Sequence, residues 1–245
     1  MPPRYPFPWF IAFRLARALL HQEKRSFHQD ARRLTSLLSP PILIINDANI
    51  PISGPAVITM NHFFKPGFRA WWLTLGISAV VTAEIHWVIT SAWTYPDKLR
   101  TNLVTPLTSK ILKHIARVYN FTCMPPMPPR PENTQERATS VRRLIAQARK
   151  TSDPIIGIAP EGRDPITEGE YSPTIPPPGA GRLIYYLARL DLKIFPVGAY
   201  ETDRQFCLNF GPPYRLDPPP GLSKSELDRW VSQFVMERIT QLLPE

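Results

Sequence analysis

Three short clusters in the 245-residue chain carry residue types suited to chemistry, and each closes an apolar run. Asn61-His62 follows the run 56–60. A histidine has a near-neutral reference pKa, so His62 can take a proton from a hydroxyl nucleophile as a general base. Pro160-Glu161-Gly162-Arg163 ends the run 155–159. There Gly162 lets a ligand approach the backbone and Arg163 offers a planar cation for phosphate. Phe195-Pro196-Val197-Gly198 is the third cluster. If the runs are strands, all three stand at carboxyl ends, where open α/β sheets gather their ligands. Lys65 and Arg69, just past His62, suit a phosphate or a solvated basic loop. Taken singly, each cluster also has a purely structural reading: a satisfied histidine, or a turn with an exposed salt bridge.

Hydrophobic periodicity defines the elements that must position these clusters. Residues 8–38 carry a helical pattern opened by Pro8, with Arg14, Arg17, His21, Lys24 and Arg25 on one face and Trp9, Phe13, Ala16 and Leu20 on another. Such a helix suits a membrane interface, where arginine meets lipid phosphate, and equally suits packing on a domain with its basic side solvated. The runs 42–45, 56–60, 85–90, 119–123, 155–159, 193–197 and 206–210 predict strands. Helices are predicted over 68–81, 109–118, 132–150 and 179–190, and after Ser223, whose pairing with Glu226 reads as a capping box. The alternation predicts an α/β fold, a mixed and largely parallel central sheet with helices on both faces. An amphipathic N-terminal helical segment, 1–40, precedes one α/β domain, 41–245.

Composition narrows the function class. The net charge of +9 attracts anionic partners, whether nucleic acid, lipid headgroups or phosphorylated substrates. No nucleic-acid motif accompanies the basic residues, so nucleic acid is not an expected partner. No G-x-S-x-G elbow is present, which disfavours a serine hydrolase. The 30 prolines gather in stiff loops around 125–131, 173–178 and 218–220. Two cysteines, Cys123 and Cys207, lack zinc-site spacing and fit a reducing cytoplasmic setting. Neither a signal peptide nor a transmembrane helix is expected, because arginines interrupt the first apolar run and the run 70–83 is short for a bilayer.

Order and context make the clusters more specific. GPAVITMNH, 54–62, resembles the first block of the glycerol-phosphate and lysophosphatidate acyltransferases, in which an apolar strand delivers Asn-His. IIGIAPEGR, 155–163, is similar to that family's Pro-Glu-Gly block, and GAGRLIYYLARLDLKIFPVGAY, 179–200, to its later helix and strand. The resemblance implies that His62 deprotonates an acceptor hydroxyl, such as that of lysophosphatidate. The hydroxyl then attacks an acyl thioester carried by CoA or acyl carrier protein. It implies acceptor contacts from Glu161, Gly162 and Arg163, with Asn61 and Lys65 as further substrate-binding candidates. No metal and no cofactor beyond the acyl donor is implied. The expected setting is phospholipid biosynthesis, peripheral on the cytoplasmic face of the cell membrane, with the phospholipid surface, the acyl donor and acyl carrier protein as partners.

The chain also departs from the family pattern. The family has an aspartate five positions after the histidine, which orients the imidazole, whereas this chain has Gly67. Loss of such an orienting acid lowers rates by orders of magnitude without abolishing catalysis. Asp164, Glu161 and Asp97 are the carboxylates that could substitute. The family's middle block supplies an arginine just after its strand, for which Arg130 in the proline-rich loop is the candidate, and Arg163 directly follows the glycine instead of standing one residue later. A catalytically silent relative that binds lipid or acyl donor in the same cleft is therefore the alternative reading.

Overall fold

The computed structural model describes residues 3–5, 9–21, 23–63, 65, 68–93, 98–127, 130–162, 175–202 and 204–244. Among them, seven strands form one sheet: β1 (Leu43–Ile45), β2 (Ala56–Met60), β3 (His86–Thr90), β4 (Thr122–Met124), β5 (Ile155–Ile158), β6 (Lys193–Glu201) and β7 (Phe206–Phe210). Their order is β1-β7-β6-β2-β5-β3-β4. The helices are α1 (Trp9–His21), α2 (Phe27–Thr35), α3 (Trp71–Val80), α4 (Lys98–Tyr119), α5 (Thr134–Lys150), α6 (Ala180–Ala188) and α7 (Lys224–Thr240). Every neighbouring strand pair is parallel except β6 and β7. Only four residues separate those two, the Thr202 N–H donates to the Gln205 carbonyl, and so short a link permits only antiparallel pairing.

The sheet is buried on both sides, and its central strands read accordingly as continuous apolar runs: every residue of β2 and of β5 is buried. Ala56, Ile58 and Met60 of β2 pack with Ala31 and Leu34 of α2 and with Trp72, Leu73 and Ile77 of α3. Val57, Ile156 and Ile158 point the other way, onto Leu144 of α5, Ile184 and Leu187 of α6, and Val231 and Val235 of α7. Alternation of side chains along a strand thus builds two cores from one sheet.

The glycine-rich start of α6 serves packing and capping. The Asp228 carboxylate of α7 accepts from the Gly179 and Arg182 N–H groups at 2.7 and 2.8 Å, satisfying donors that a helix start leaves open. Gly181 lets the two helices touch, since a Cβ there would stand 2.1 Å from the Asp228 carbonyl oxygen. The capping box at Ser223 and Glu226 is formed as the sequence predicts.

The clearest differences from expectation are in two helical regions; β4 also starts later than the predicted run 119–123, whose first residue, Tyr119, ends α4. The single helix over 8–38 is two helices. Ser26 caps α2 through the Gln29 N–H, and Arg25 leaves the basic face to make a bidentate ion pair with Asp30, at 2.6 and 2.8 Å. Asp30 is buried and also accepts from the Tyr119 hydroxyl at 2.8 Å, so its charge is matched by partners that one straight helix could not supply. Burial, then the Asp30 charge, raises the Tyr119 pKa above the ordinary phenol value. The second difference is α4, which begins 11 residues before the predicted 109–118 and accommodates Pro106 inside a 22-residue helix. Among the described residues, no helix is long and apolar enough to cross a membrane.

Candidate active site

Strands β6, β2 and β5 are adjacent and parallel, with Thr59 level with both Pro196 and Ile158. Their carboxyl ends therefore form one rim. His62 stands two residues past β2, Glu161 three past β5, and Glu201 closes β6. The sequence clusters separated by about a hundred positions are in contact: the His62 backbone N–H donates to Glu161 Oε2 at 2.5 Å. Glu161 is only 1% exposed, and a carboxylate so buried needs donors, so this bond fixes the half-buried histidine to the neighbouring strand end. Gly162 makes the turn possible. Its φ of +66° is in the left-handed region, and its N–H returns to the Ala159 carbonyl. A Cβ at 162 would meet Met127 at 3.1 Å, so the proline-rich loop after β4 passes against this turn. Arg137 holds that loop by donating to the Pro125 and Pro126 carbonyls, and burial lowers its pKa.

Asn61 turns inward. Its Oδ1 accepts from the Ala199 N–H at 2.7 Å, and its Nδ2 donates to the Ala199 and His62 carbonyls at 2.9 and 3.1 Å. With no exposed surface, it clamps the end of β2 to β6 and sets the path of the chain into His62. Lys65, on the other side of His62, places Nζ 2.5 Å from Glu201 Oε1. The Glu201 side chain is 2% exposed and also accepts from the Tyr5 hydroxyl at 2.6 Å. Burial and the Glu201 carboxylate hold the Tyr5 pKa far above its ordinary value. The Tyr5 ring rests on Phe68, Trp72 and Phe206, and Phe63 meets Phe68, so an aromatic floor lies beside the histidine.

No family model matches the chain, and no curated protein matches it. Among solved structures, the 1-acyl-sn-glycerophosphate (LPA) acyltransferase PlsC of Thermotoga maritima matches with a TM-score of 0.53 at 14% identity. The match covers 89% of this chain and 79% of that one. The chain has an acyltransferase fold.

Of the residues the sequence singles out, the fold thus gathers Asn61, His62, Lys65, Glu161 and Gly162 on one rim. Arg130 is exposed just before the 3-10 turn Pro131–Asn133, and no described hydrogen bond or ion pair ties it to the rim. Arg163, Asp164, Asp97 and Gly67 lie outside the described residues. The sequence reading missed Glu201 and Tyr5. The strand predicted over 193–197 continues to Glu201, and extending the alternation of Phe195, Val197 and Ala199 by one step would have found the carboxylate. Nothing local marks Tyr5, whose role depends on the chain's start crossing to the end of β6.

Proposed function

We propose that the protein is an O-acyltransferase that moves a fatty acyl group from an acyl thioester, on CoA or acyl carrier protein, to a hydroxyl of a glycerolipid such as lysophosphatidate. The observation that carries this reading is His62 beside the Pro-Glu-Gly turn on adjacent strand ends, in a fold shared with a lysophosphatidate acyltransferase. His62 takes the acceptor's proton as its oxygen attacks the thioester carbonyl. The C–S bond breaks, an ester forms, and the proton passes from His62 to the departing thiolate. Arg163 supplies positive charge for the acceptor phosphate, and the partly exposed Lys65 ammonium, held by Glu201, offers its remaining N–H donors. Glu161 holds the histidine's backbone, Asn61 fixes the strand end that presents it, and Gly162 makes the turn that follows Glu161. The lipid reaches the rim from an anionic phospholipid surface on which the protein is peripheral, with the exposed Trp9 and Phe13 of α1 and its Arg14 and Arg17 as contacts.

Acyl transfer by purified protein with vesicles tests the reading, using lysophosphatidate and other hydroxyl acceptors against acyl-CoA and acyl carrier protein donors. Transfer that disappears in His62→Ala supports it. Gly67, where the resembling family has aspartate, favours a second reading: a silent relative that binds lipid or acyl donor. Binding without transfer for every donor and acceptor pair decides for that second reading.

A further inference from the structure

Among the described residues, α4 carries a row of exposed large apolar side chains away from the rim. Leu99, Leu103, Leu107 and Ile111 recur at every fourth position and are 44 to 77% exposed, a stripe along the open side of the helix. The same side continues toward the C-terminus as Lys110, Lys113, His114 and Arg117, all exposed. Lys113 is paired at 3.6 Å with Glu136, itself half exposed. The helix contains no aspartate or glutamate. A soluble face of this kind usually mixes both signs of charge over polar residues; here a leucine row with the exposed Arg100 beside it gives way to a basic half, and no acidic residue balances either.

Helix α1 repeats the pattern on a smaller scale, with Trp9 and Phe13 exposed near its start, Arg14 and Arg17 after them, and no acidic residue. The two helices meet at their C-terminal ends, where Ala18 is buried with Val118 and Tyr119, and the Lys24 ammonium donates to the Arg117 carbonyl. Their basic halves therefore adjoin. Topology fixes the other end. Because β3 and β4 are parallel neighbours, α4 must run back from the carboxyl end of β3 to the amino end of β4. Its leucines consequently start at the edge of the sheet that carries His62 and Glu161.

We propose that the exposed face of α4 is an interfacial docking surface for anionic phospholipid, in which Leu99, Leu103, Leu107 and Ile111 enter the acyl boundary while Lys110, His114 and Arg117 meet lipid phosphates. The inference rests on the membrane-surface part of the function proposed above and adds to it the helix that bears most of the contact. Charge complementarity selects the occupant: a row of leucines alone would suit a second copy of the chain, but the adjoining basic halves of two acid-free helices repel a copy and attract an anionic bilayer. Docking in this pose brings the apolar start of α4, and with it the carboxyl edge of the sheet, to the lipid surface that holds the substrate.

The test is partitioning of the full chain onto vesicles of phosphatidylglycerol and phosphatidylcholine, measured by flotation alongside sedimentation velocity without lipid. L103Q/L107Q changes two exposed side chains and leaves the thermal midpoint unchanged, while partitioning falls by about tenfold or more from the lost apolar insertion. K110E/R117E weakens binding to the anionic vesicles and leaves binding to pure phosphatidylcholine unchanged. Wild-type partitioning undiminished in L103Q/L107Q, with Trp9→Ala/Phe13→Ala reducing it, overturns the α4 assignment and leaves the membrane reading intact. A wild-type protein that floats with neither vesicle overturns both. A wild-type dimer that becomes a monomer in L103Q/L107Q overturns the lipid assignment in favour of self-association.

Discussion

Asn61 offers the sharpest test of how the rim is held. The Ala199 N–H is a donor, so the oxygen of the Asn61 amide must face it, and the nitrogen must face the Ala199 and His62 carbonyls. Asn61→Ala removes the partners of the Ala199 N–H and C=O at a site with no solvent access. Each unsatisfied buried group costs about 1–3 kcal/mol, so with two such groups the variant should lose roughly 2–6 kcal/mol of stability. Asn61→Asp has nearly the same shape and separates hydrogen bonding from packing. One carboxylate oxygen can still accept from Ala199 N–H, but the other confronts two carbonyls and has no proton to give unless the acid stays neutral. Its folded-state pKa is thereby raised above the ordinary aspartate value. The stability of Asn61→Asp is then greatest below the unfolded-state pKa and is lost as pH rises through the folded one. Urea denaturation followed by circular dichroism at pH 5 and pH 8 should show a deficit against wild type that grows toward pH 8, while that of Asn61→Ala stays constant. An Asn61→Asp protein within about 0.5 kcal/mol of wild type at pH 8 would refute the assigned orientation and the role of the amide as a clamp.

Two further outcomes follow from the core. Burial lowers the His86 pKa to about 4, and its Nε2 pairs with Thr122 Oγ1 at 2.8 Å while its Nδ1 has no partner among the described residues. The unfolded chain takes up that proton at higher pH than the folded one, so stability present above the ordinary histidine value is lost as pH falls toward the folded pKa. Between pH 7.5 and 4.5 the wild type should lose about 2 kcal/mol more than His86→Gln in urea midpoints, after allowing for partial solvent screening, and parallel pH profiles would count against it. Gly181→Ala places a methyl group against the Asp228 carbonyl and Ser232, forcing α6 off α7. A loss of about 3 kcal/mol is expected, and a thermal midpoint matching wild type would show that the helices can separate freely.

What the sequence determined is local. Apolar runs of strand length separated by amphipathic stretches gave the α/β architecture, because a strand buried on both faces and a helix buried on one leave different periodicities. Ser223 and Glu226 announced their own capping box, since both partners lie within one turn. Asn61, His62, Glu161 and Gly162 on the rim were also legible, because strand ends follow from where apolar runs stop, whereas Glu201 and Tyr5 were not. Which strand ends become neighbours was not. Glu161 reaches His62 across 99 positions, Asn61 reaches Ala199 across 138, and Tyr5 reaches Glu201 across 196. The first two pairings exist because β5 and β6 flank β2, an order that no single segment encodes, and the third because the chain's start crosses to the end of β6. The same holds for Arg25, drawn off its helix face by an aspartate that only the folded core buries. A buried polar group must find a partner, but the sheet order decides which residue that partner is, and sheet order is a property of the whole chain's packing.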